Sequence, residues 1–352
     1  MRAIDFVPPR CPNRRCGAHR KPSPGFYRRI GTYQPQCRNE PIPRFKCRLC
    51  RRGFSRQTFR LDYRDKQPGK NGTLFQLLAS GIGLRQTGRL VGLDVHAVQK
   101  KFRKVARHLR LLNRNLLPGL PAGRTYLLDE LESFEFRSIT PLTIPVLIDR
   151  TSKFVVAVDV ATIRRVAKAG SWRHRWLGRY EAKRGRVQDR GRNCVRRVFG
   201  RFAKLLGGNS ADFVTDEKAL YGRFCRQRFG AQVAHQTVSS KLPRKVYNPL
   251  FAINLTDAML RDNNGRLRRR SWLVSKSGRF LRLQIELFNA YRNWHRRRHN
   301  DDPEHLTPGV ALGLCSRNLQ VNELLAWRQD WRQRTIHPAS ATGLETVEQR
   351  VA

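Results

Sequence analysis

Between positions 98 and 112 the apolar residues Val98, Phe102, Val105, Leu109 and Leu112 return every three or four places, which predicts an amphipathic helix. Lys100, Lys101, Arg103, Lys104 and Arg107 fall on its other faces. Upstream, Leu74, Phe75, Leu77 and Leu78 make one helical apolar face. Leu84, Leu90 and Val91 make a second, which ends at Gly92 before a tight turn. This order predicts a helix-turn-helix over 72–115. In that geometry Asp94, His96, Ala97 and Lys100 stand at the exposed start of the last helix. An ordinary basic helix pair with a solvated face fits the same periodicity.

The pattern changes after 124. Tyr126 to Leu128, Thr143 to Ile148 and Phe154 to Val158 are short β-rich runs that predict an antiparallel meander. Helical spacing follows at 195–206, a strand at 213–215, a helix at 219–229, a short strand at 232–234 and a long helix at 279–298. Three antiparallel strands followed by alternating helices and strands suit a ribonuclease-H-like mixed sheet covered on both faces, over 124–300. The segment 164–204 is a basic insertion with 15 Lys or Arg against Glu181 and Asp189, interleaved with Trp172, Trp176 and Tyr180. Rings among cations suggest a platform for an unpaired strand or a duplex end, or a basic loop whose tryptophans pack on the core. From 301, Leu312, Leu324, Leu325, Trp327 and Trp331 among polar residues predict a helical tail over 301–352. Residues 62–72 read as a linker. The fold class expected is a multidomain α+β chain.

Charge narrows the function. In 352 residues, 71 Lys and Arg stand against 26 Asp and Glu, a formal net charge of +45. That excess needs a polyanion and argues against a small-molecule enzyme. The cations run through every segment instead of gathering on one amphipathic helix, which favours nucleic acid over acidic lipid. On DNA, His96 and Lys100 would approach base edges, with Lys101, Arg103, Lys104 and Arg107 on phosphates. With no apolar run of membrane-spanning length and no signal-peptide core, the expected location is the cytoplasm. Five of the eight cysteines lie in the first 50 residues. In a reducing compartment that points to metal: Cys11 and Cys16 on one arm, Cys47 and Cys50 on the other, form a four-sulfur structural zinc site in a ribbon over 1–62. Cys37 is a fifth candidate, and a buried thiol is the alternative for Cys11 or Cys37.

In a chain so poor in acids, two strand-end carboxylates stand out. Asp129 closes Tyr126 to Leu128, and Asp216 closes Phe213 to Thr215. In the expected sheet those ends are adjacent, so the pair suits a divalent cation, magnesium or manganese, for phosphoryl transfer. A turn cap or an arginine partner is the alternative for either one alone. Arg261, Arg268, Arg269 and Arg270 form a patch that a phosphate backbone fits, and His235 is a candidate phosphate contact. Glu130 would face away from Asp129 and pair with arginine.

Taken in order, these residues resemble bacterial insertion-sequence transposases with a zinc ribbon, a helix-turn-helix and a ribonuclease-H-like catalytic core, over nearly the whole chain. Leu128-Asp129-Glu130-Leu131-Glu132-Ser133-Phe134 is similar to the family's first-acid segment. Val214-Thr215-Asp216-Glu217-Lys218, before a helix carrying Tyr221, is similar to the second. His235-Gln236-Thr237-Val238, the segment Asn254 to Arg261, Ser275-Lys276-Ser277, and Cys47 to Cys50 followed by Phe54, Ser55 and Thr58 extend the likeness. The departure is the third acid: the family's glutamate, seven residues before a basic residue, falls on Asn254, with Arg261 in the basic position. An amide oxygen ligates a hard cation more weakly than a carboxylate and cannot act as a general base. Asn254 is placed ahead of Asp257, one turn away, with Glu286 a further substitute.

The resemblance implies an enzyme that binds terminal inverted repeats, cleaves DNA 3′ ends with metal and transfers the strand to a target, as a homo-oligomer on DNA. The alternative class is a catalytically inactive, transposase-derived DNA-binding protein or regulator. A nuclease acting on branched nucleic acid, without specific end sequences, is a third.

Overall fold

A computed structural model describes residues 6–34, 41–239, 241–268 and 272–328. The chain opens with a short helix α1 (Gly17–Arg20) and the strands β1 (Tyr27–Tyr33), β2 (Ile42–Cys47) and β3 (Gly53–Ser55), which form an antiparallel three-stranded sheet. Phe26, Phe45, Phe54 and Phe59 supply most of its small core, together with cysteines. So few buried side chains are thin support for an independent fold.

Three helices follow: α2 (Asn71–Ala79), α3 (Leu84–Val91) and α4 (Val95–Leu116). Gly92 ends α3 in the left-handed region at φ 61°, where glycine carries no steric penalty. Asp94 then caps α4 by accepting from the His96 amide at 2.7 Å. The predicted stripe Val98, Phe102, Val105, Leu109 and Leu112 is buried throughout. Of the predicted apolar face of α3, Leu84 and Val91 pack against the core while Leu90 is exposed, and Thr87 and Gly88 are the residues fully buried. A Cβ at Gly88 would lie 2.7 Å from the Leu93 carbonyl, so only glycine permits that close approach.

The main sheet comprises β4 (Arg124–Phe134), β5 (Pro141–Asp149), β6 (Val155–Val158), β7 (Ala161–Thr162), then, after helices α5 (Trp172–Arg184) and α6 (Gly191–Leu206), β8 (Ala211–Asp216), helix α7 (Ala219–Phe229) and β9 (Val233–Val238). Its order is β6-β5-β4-β8-β9, with β7 beside β5. Strands β4, β5 and β6 run antiparallel, whereas β8 and β9 run parallel to β4. Every residue of β5 is buried, as a central strand covered on both faces requires. The chain is completed by α8 (Phe251–Asp262), α9 (Gly278–Trp294), α10 (Pro308–Ala311) and α11 (Val321–Ala326). The fold is therefore a mixed α+β one, a mixed sheet flanked by helices.

Two apolar cores lie on the two faces of the sheet. Tyr126 and Leu128 join α4, α6 and α7 in one, while Leu127, Leu131 and Val214 join Ile253 and Leu260 of α8 in the other. The first core also takes in α2, Leu324 of α11 and Trp327, so the helices expected to form a unit over 72–115 and the tail share their interior with the sheet. Polar ties reinforce that union. Asn293 of α9 both accepts from and donates to the Val155 backbone at 3.0 Å, and Trp294 donates to Asn113 of α4 at 2.9 Å. His108 of α4 contacts the Leu324 carbonyl at 2.9 Å, and burial holds its imidazole down at about 4.

Candidate functional site

Side chains alternate across a strand, so the register decides which acids meet. Leu128 of β4 pairs with Thr215 of β8, and the ladder between them stops there. Asp129 and Asp216 are the next residues of these parallel neighbours. Both lie on the face of Leu127 and Val214, beneath α8. Asp129 does not close its strand, as the sequence suggested: β4 continues through Phe134, because Leu131 and Ser133 keep pairing with the apolar β5. Asp129 instead marks the point where β8 leaves β4.

Helix α8 brings the third group. Its Ile253 and Leu260 pack into the core of this face, and Arg292 of α9 reaches Thr256 Oγ1 at 3.2 Å from behind. Asp257 is buried, and its Oδ1 has no hydrogen-bond partner. Burial raises its carboxyl well above the usual range; the Asp129 charge adds to the rise, and Arg261 and Arg244 oppose it. Burial likewise raises Asp129, with Asp216 adding to it, while the Glu130 amide at 2.6 Å and Arg244 pull it down. Three carboxylates thus crowd one face with Arg244, an arginine that sequence reading passed over because its loop carries no periodic signal. Asn254 is half-buried on the same helix, three residues before Asp257. A buried acid raised by burial and a neighbouring like charge, and only partly offset by arginines, has the electrostatic profile of a candidate cation or substrate site. Carboxylate oxygens are the donors a hard divalent ion takes, but the oxygens of these acids do not all lie within 4.8 Å of one another.

Glu130 does face away from Asp129, but its partners among the described residues are Lys218, Thr143 and the Tyr221 hydroxyl at 2.7 Å, and no arginine. Burial raises the Tyr221 phenol, and the Glu130 charge adds to it. Glu286 also lies apart from the acid cluster: burial raises its carboxyl, and Arg114, Arg201, Arg110 and Arg282 lower it. His235 stands beside Phe213 on the opposite face from Asp216, contacting Thr215 Oγ1 at 2.9 Å; it turns away from the acids. Burial lowers its imidazole, with Arg226 adding to the effect.

The basic positions divide. His96, Lys100 and Arg107 are exposed on α4, and Arg103 and Lys104 are half-buried. Lys101 is not available to a phosphate: its ammonium is buried against both Asp65 oxygens at 2.6 Å, the Gln67 carbonyl at 2.8 Å and Asn71 Oδ1 at 2.9 Å. Lys104 donates to the Tyr63 carbonyl. Arg268 is exposed and donates to the Asp262 carbonyl at 3.2 Å, and Arg261 approaches Asp257. Arg269 and Arg270 lie outside the described residues, as do Cys37 and Trp331.

The cysteine quartet is compact. Cys11, Cys16, Cys47 and Cys50 place their sulfurs within 4.8 Å of one another, the one such group of potential ligands among the described residues. Cys11 and Cys50 are 3.5 Å apart, and Cys16 and Cys47 3.8 Å. A tetrahedron with metal–sulfur bonds of about 2.3 Å has edges of about 3.8 Å. The Cys16 amide bonds the Asn13 carbonyl and the Arg51 amide the Cys47 carbonyl, so each arm is a closed turn. Four close cysteines of this kind can bind a metal such as zinc.

No helix among the described residues is long and apolar enough to cross a membrane. No protein-family model matches the chain, and no curated protein does. Among solved structures it is similar to a chain of the cryo-EM structure of a simian T-cell lymphotropic virus intasome in complex with PP2A regulatory subunit B56 gamma, at 12% identity and a TM-score of 0.23. That likeness covers 64% of this chain and 66% of the other, just under two thirds of its length.

Proposed function

We propose that the chain is a DNA transposase of the bacterial insertion-sequence type, with a ribonuclease-H-like catalytic sheet, a helix-turn-helix formed by α3 and α4, and a structural zinc in the ribbon. The observation that carries this reading is the register of β4 and β8, which sets Asp129 and Asp216 side by side beneath Asp257 in a chain of charge +45. So many cations suit a polyphosphate substrate, and clustered carboxylates suit the metal that phosphoryl transfer on it needs.

Asp129 and Asp216 would hold magnesium or manganese, and the third ligand is Asp257, whose carboxyl feels the Asp129 charge. Asn254, favoured by motif spacing, sits one turn away and adds at most a neutral oxygen. The metal, when bound, supplies activation of a water or 3′ hydroxyl and steadies the leaving oxygen. The chain's own residues align the strand: Arg244 and Arg261 balance excess negative charge, while His96 and Lys100 reach the duplex that selects the element's ends. Since one such site cannot face two ends, the active species is an oligomer of this chain on DNA.

Incubation of end-containing DNA with magnesium tests this directly. Wild type releases the 3′ end, and Asp129→Ala and Asp216→Ala lose roughly a thousandfold in rate, the several kcal/mol that metal contributes. Asp257→Ala falls with them, and Asn254→Ala loses less. Equal inertness of wild type and Asp129→Ala, with binding intact, leaves the DNA-binding protein without catalysis. One observation favours that second reading: the three carboxylates are neighbours, but their oxygens are not drawn within 4.8 Å as the four sulfurs are.

A further inference from the structure

Helix α5 is built unlike the others. Of its 13 residues only Leu177 is buried, and its Lys and Arg number five against Glu181 alone. A helix this polar is not held by core packing. It is fastened instead at its ends: Ser171 caps it by accepting from the His174 amide at 3.2 Å. Near its C-terminus, Glu181 takes a bidentate pair from Arg164 at 2.8 and 2.9 Å. Trp172, Trp176 and Tyr180 recur every four residues and so share one face. Trp172 is 52% and Trp176 44% exposed. Large rings left in water on a tethered helix face imply an occupant.

Facing α5 is the turn between β4 and β5, and the two enclose a cleft of about 760 Å³. Phe136 on the turn is 60% exposed and holds a left-handed backbone at φ 61°, unusual for a bulky residue. It lines the cleft together with Trp176 and Tyr180. Cations flank the rings: Arg137 and Arg179 lie 5.5 and 5.8 Å from the Trp176 ring centre, and Lys276 lies 5.5 Å from that of Phe136. Lys183, Arg184 and Arg186 also line the cleft, against the single carboxylate of Glu135. That carboxylate accepts from the Gly278 amide at 3.1 Å. Flat apolar faces alternating with cations fit the alternation of base and phosphate in a strand whose bases are unstacked; a duplex hides those faces.

We propose that the cleft between α5 and the β4–β5 turn binds an unpaired nucleic-acid strand, its bases stacked on Trp176, Tyr180 and Phe136 and its phosphates on the surrounding arginines and lysines. The five residues of β4 beyond Asp129 carry the chain roughly 17 Å to Phe134, the residue before Glu135 and Phe136 in the cleft wall. The cleft thus receives a strand that continues past the acid cluster. The proposal deepens the strand-transfer reading by giving the unpaired segment beside the cut a seat, yet its binding step does not need the chemistry.

The experiment uses the full chain without magnesium and compares a fluorescein-labelled oligo-dT with a duplex of equal length by anisotropy. Trp176→Ala weakens oligo-dT binding about tenfold, within the ~5- to 150-fold expected for one stacked base, and leaves duplex affinity within about twofold. Trp176→Phe retains most of the wild-type affinity. Phe136→Ala, on the opposite wall, reads the same loss should Trp176→Ala prove unstable by its melting temperature. Wild-type affinity for oligo-dT in both folded alanine variants overturns the proposal. So does an equal loss on duplex, or competition by poly-glutamate as strong as by oligo-dT, which would make the cleft a mere polyanion sink. Binding is read without magnesium and cleavage only with it, so failure of catalysis and failure of this site are read separately.

Discussion

Replacing Lys101 with methionine distinguishes a structural cation from a DNA-contacting one. The Lys101 side chain is 9% and that of Asp65 7% exposed, and the pair is closed by Gln67 and Asn71. Removing the lysine strands a buried carboxylate, a loss of about 3–5 kcal/mol. Against a typical total of about 5–15 kcal/mol, this lowers the melting temperature by roughly 10 °C. The double variant Lys101→Met, Asp65→Asn recovers much of it, since both charges are gone. The pH dependence has a definite sign. Burial raises the Asp65 carboxyl, but the Lys101 bond and its other donors outweigh that, so its folded value lies below the unfolded one. Its stabilisation is therefore complete above about pH 4 and is lost as pH falls through the folded value. Urea unfolding measures the first effect. DNA titration from 50 to 200 mM salt measures the second: the folded variant keeps the wild-type slope of log affinity on log salt, whereas Lys100→Ala flattens it by about 1. An unchanged melting temperature with a flatter slope in Lys101→Met would refute the reasoning and return Lys101 to the DNA surface.

Metal analysis of the purified chain should find one zinc per molecule, falling to none in Cys47→Ser, with the ribbon unfolded; a zinc-free protein with intact ribbon strands by NMR would exclude the site. Asp257→Asn, without divalent metal, should raise the melting temperature at pH 8, because an acid whose folded value is raised loses stability as pH climbs through it. The gain shrinks as pH drops towards about 4, and a destabilised variant at pH 8 would contradict the burial argument. Overall DNA affinity should drop by about 10³ to 10⁵ between 50 and 200 mM salt, and a flat response would remove nucleic acid as the partner.

The strands were legible because their apolar runs sit between turn residues, and α4 because one stripe held for four turns. The neighbouring of Asp129 and Asp216 was legible too, since strand order and parallel direction follow from element order. Three things were not. Lys101 sits on the predicted polar side of α4 and is buried only because Asp65, 36 residues earlier, folds over it; periodicity within a helix carries no trace of that. The burial of Asp257 and its closeness to the Asp129 charge depend on how α8 is seated by Arg292, which motif spacing does not carry. Composition likewise carries no trace of the bonds by which Asn113, Asn293 and Trp294 knit the helices to the sheet.

The Asn293 amide grips Val155 as a further strand would, occupying both backbone groups at the outer margin of β6. Sheet-to-sheet growth is thereby blocked on that flank. Any copy adding itself by strand pairing to the main sheet is directed to the other flank, β9, whose Val238 lies directly across from Asp216. Such a neighbour would crowd the side of the sheet edge next to Asp216, where the proposed function seats a DNA strand. If the proposed function holds, self-association compatible with catalysis has to run through helices, the ribbon or the DNA.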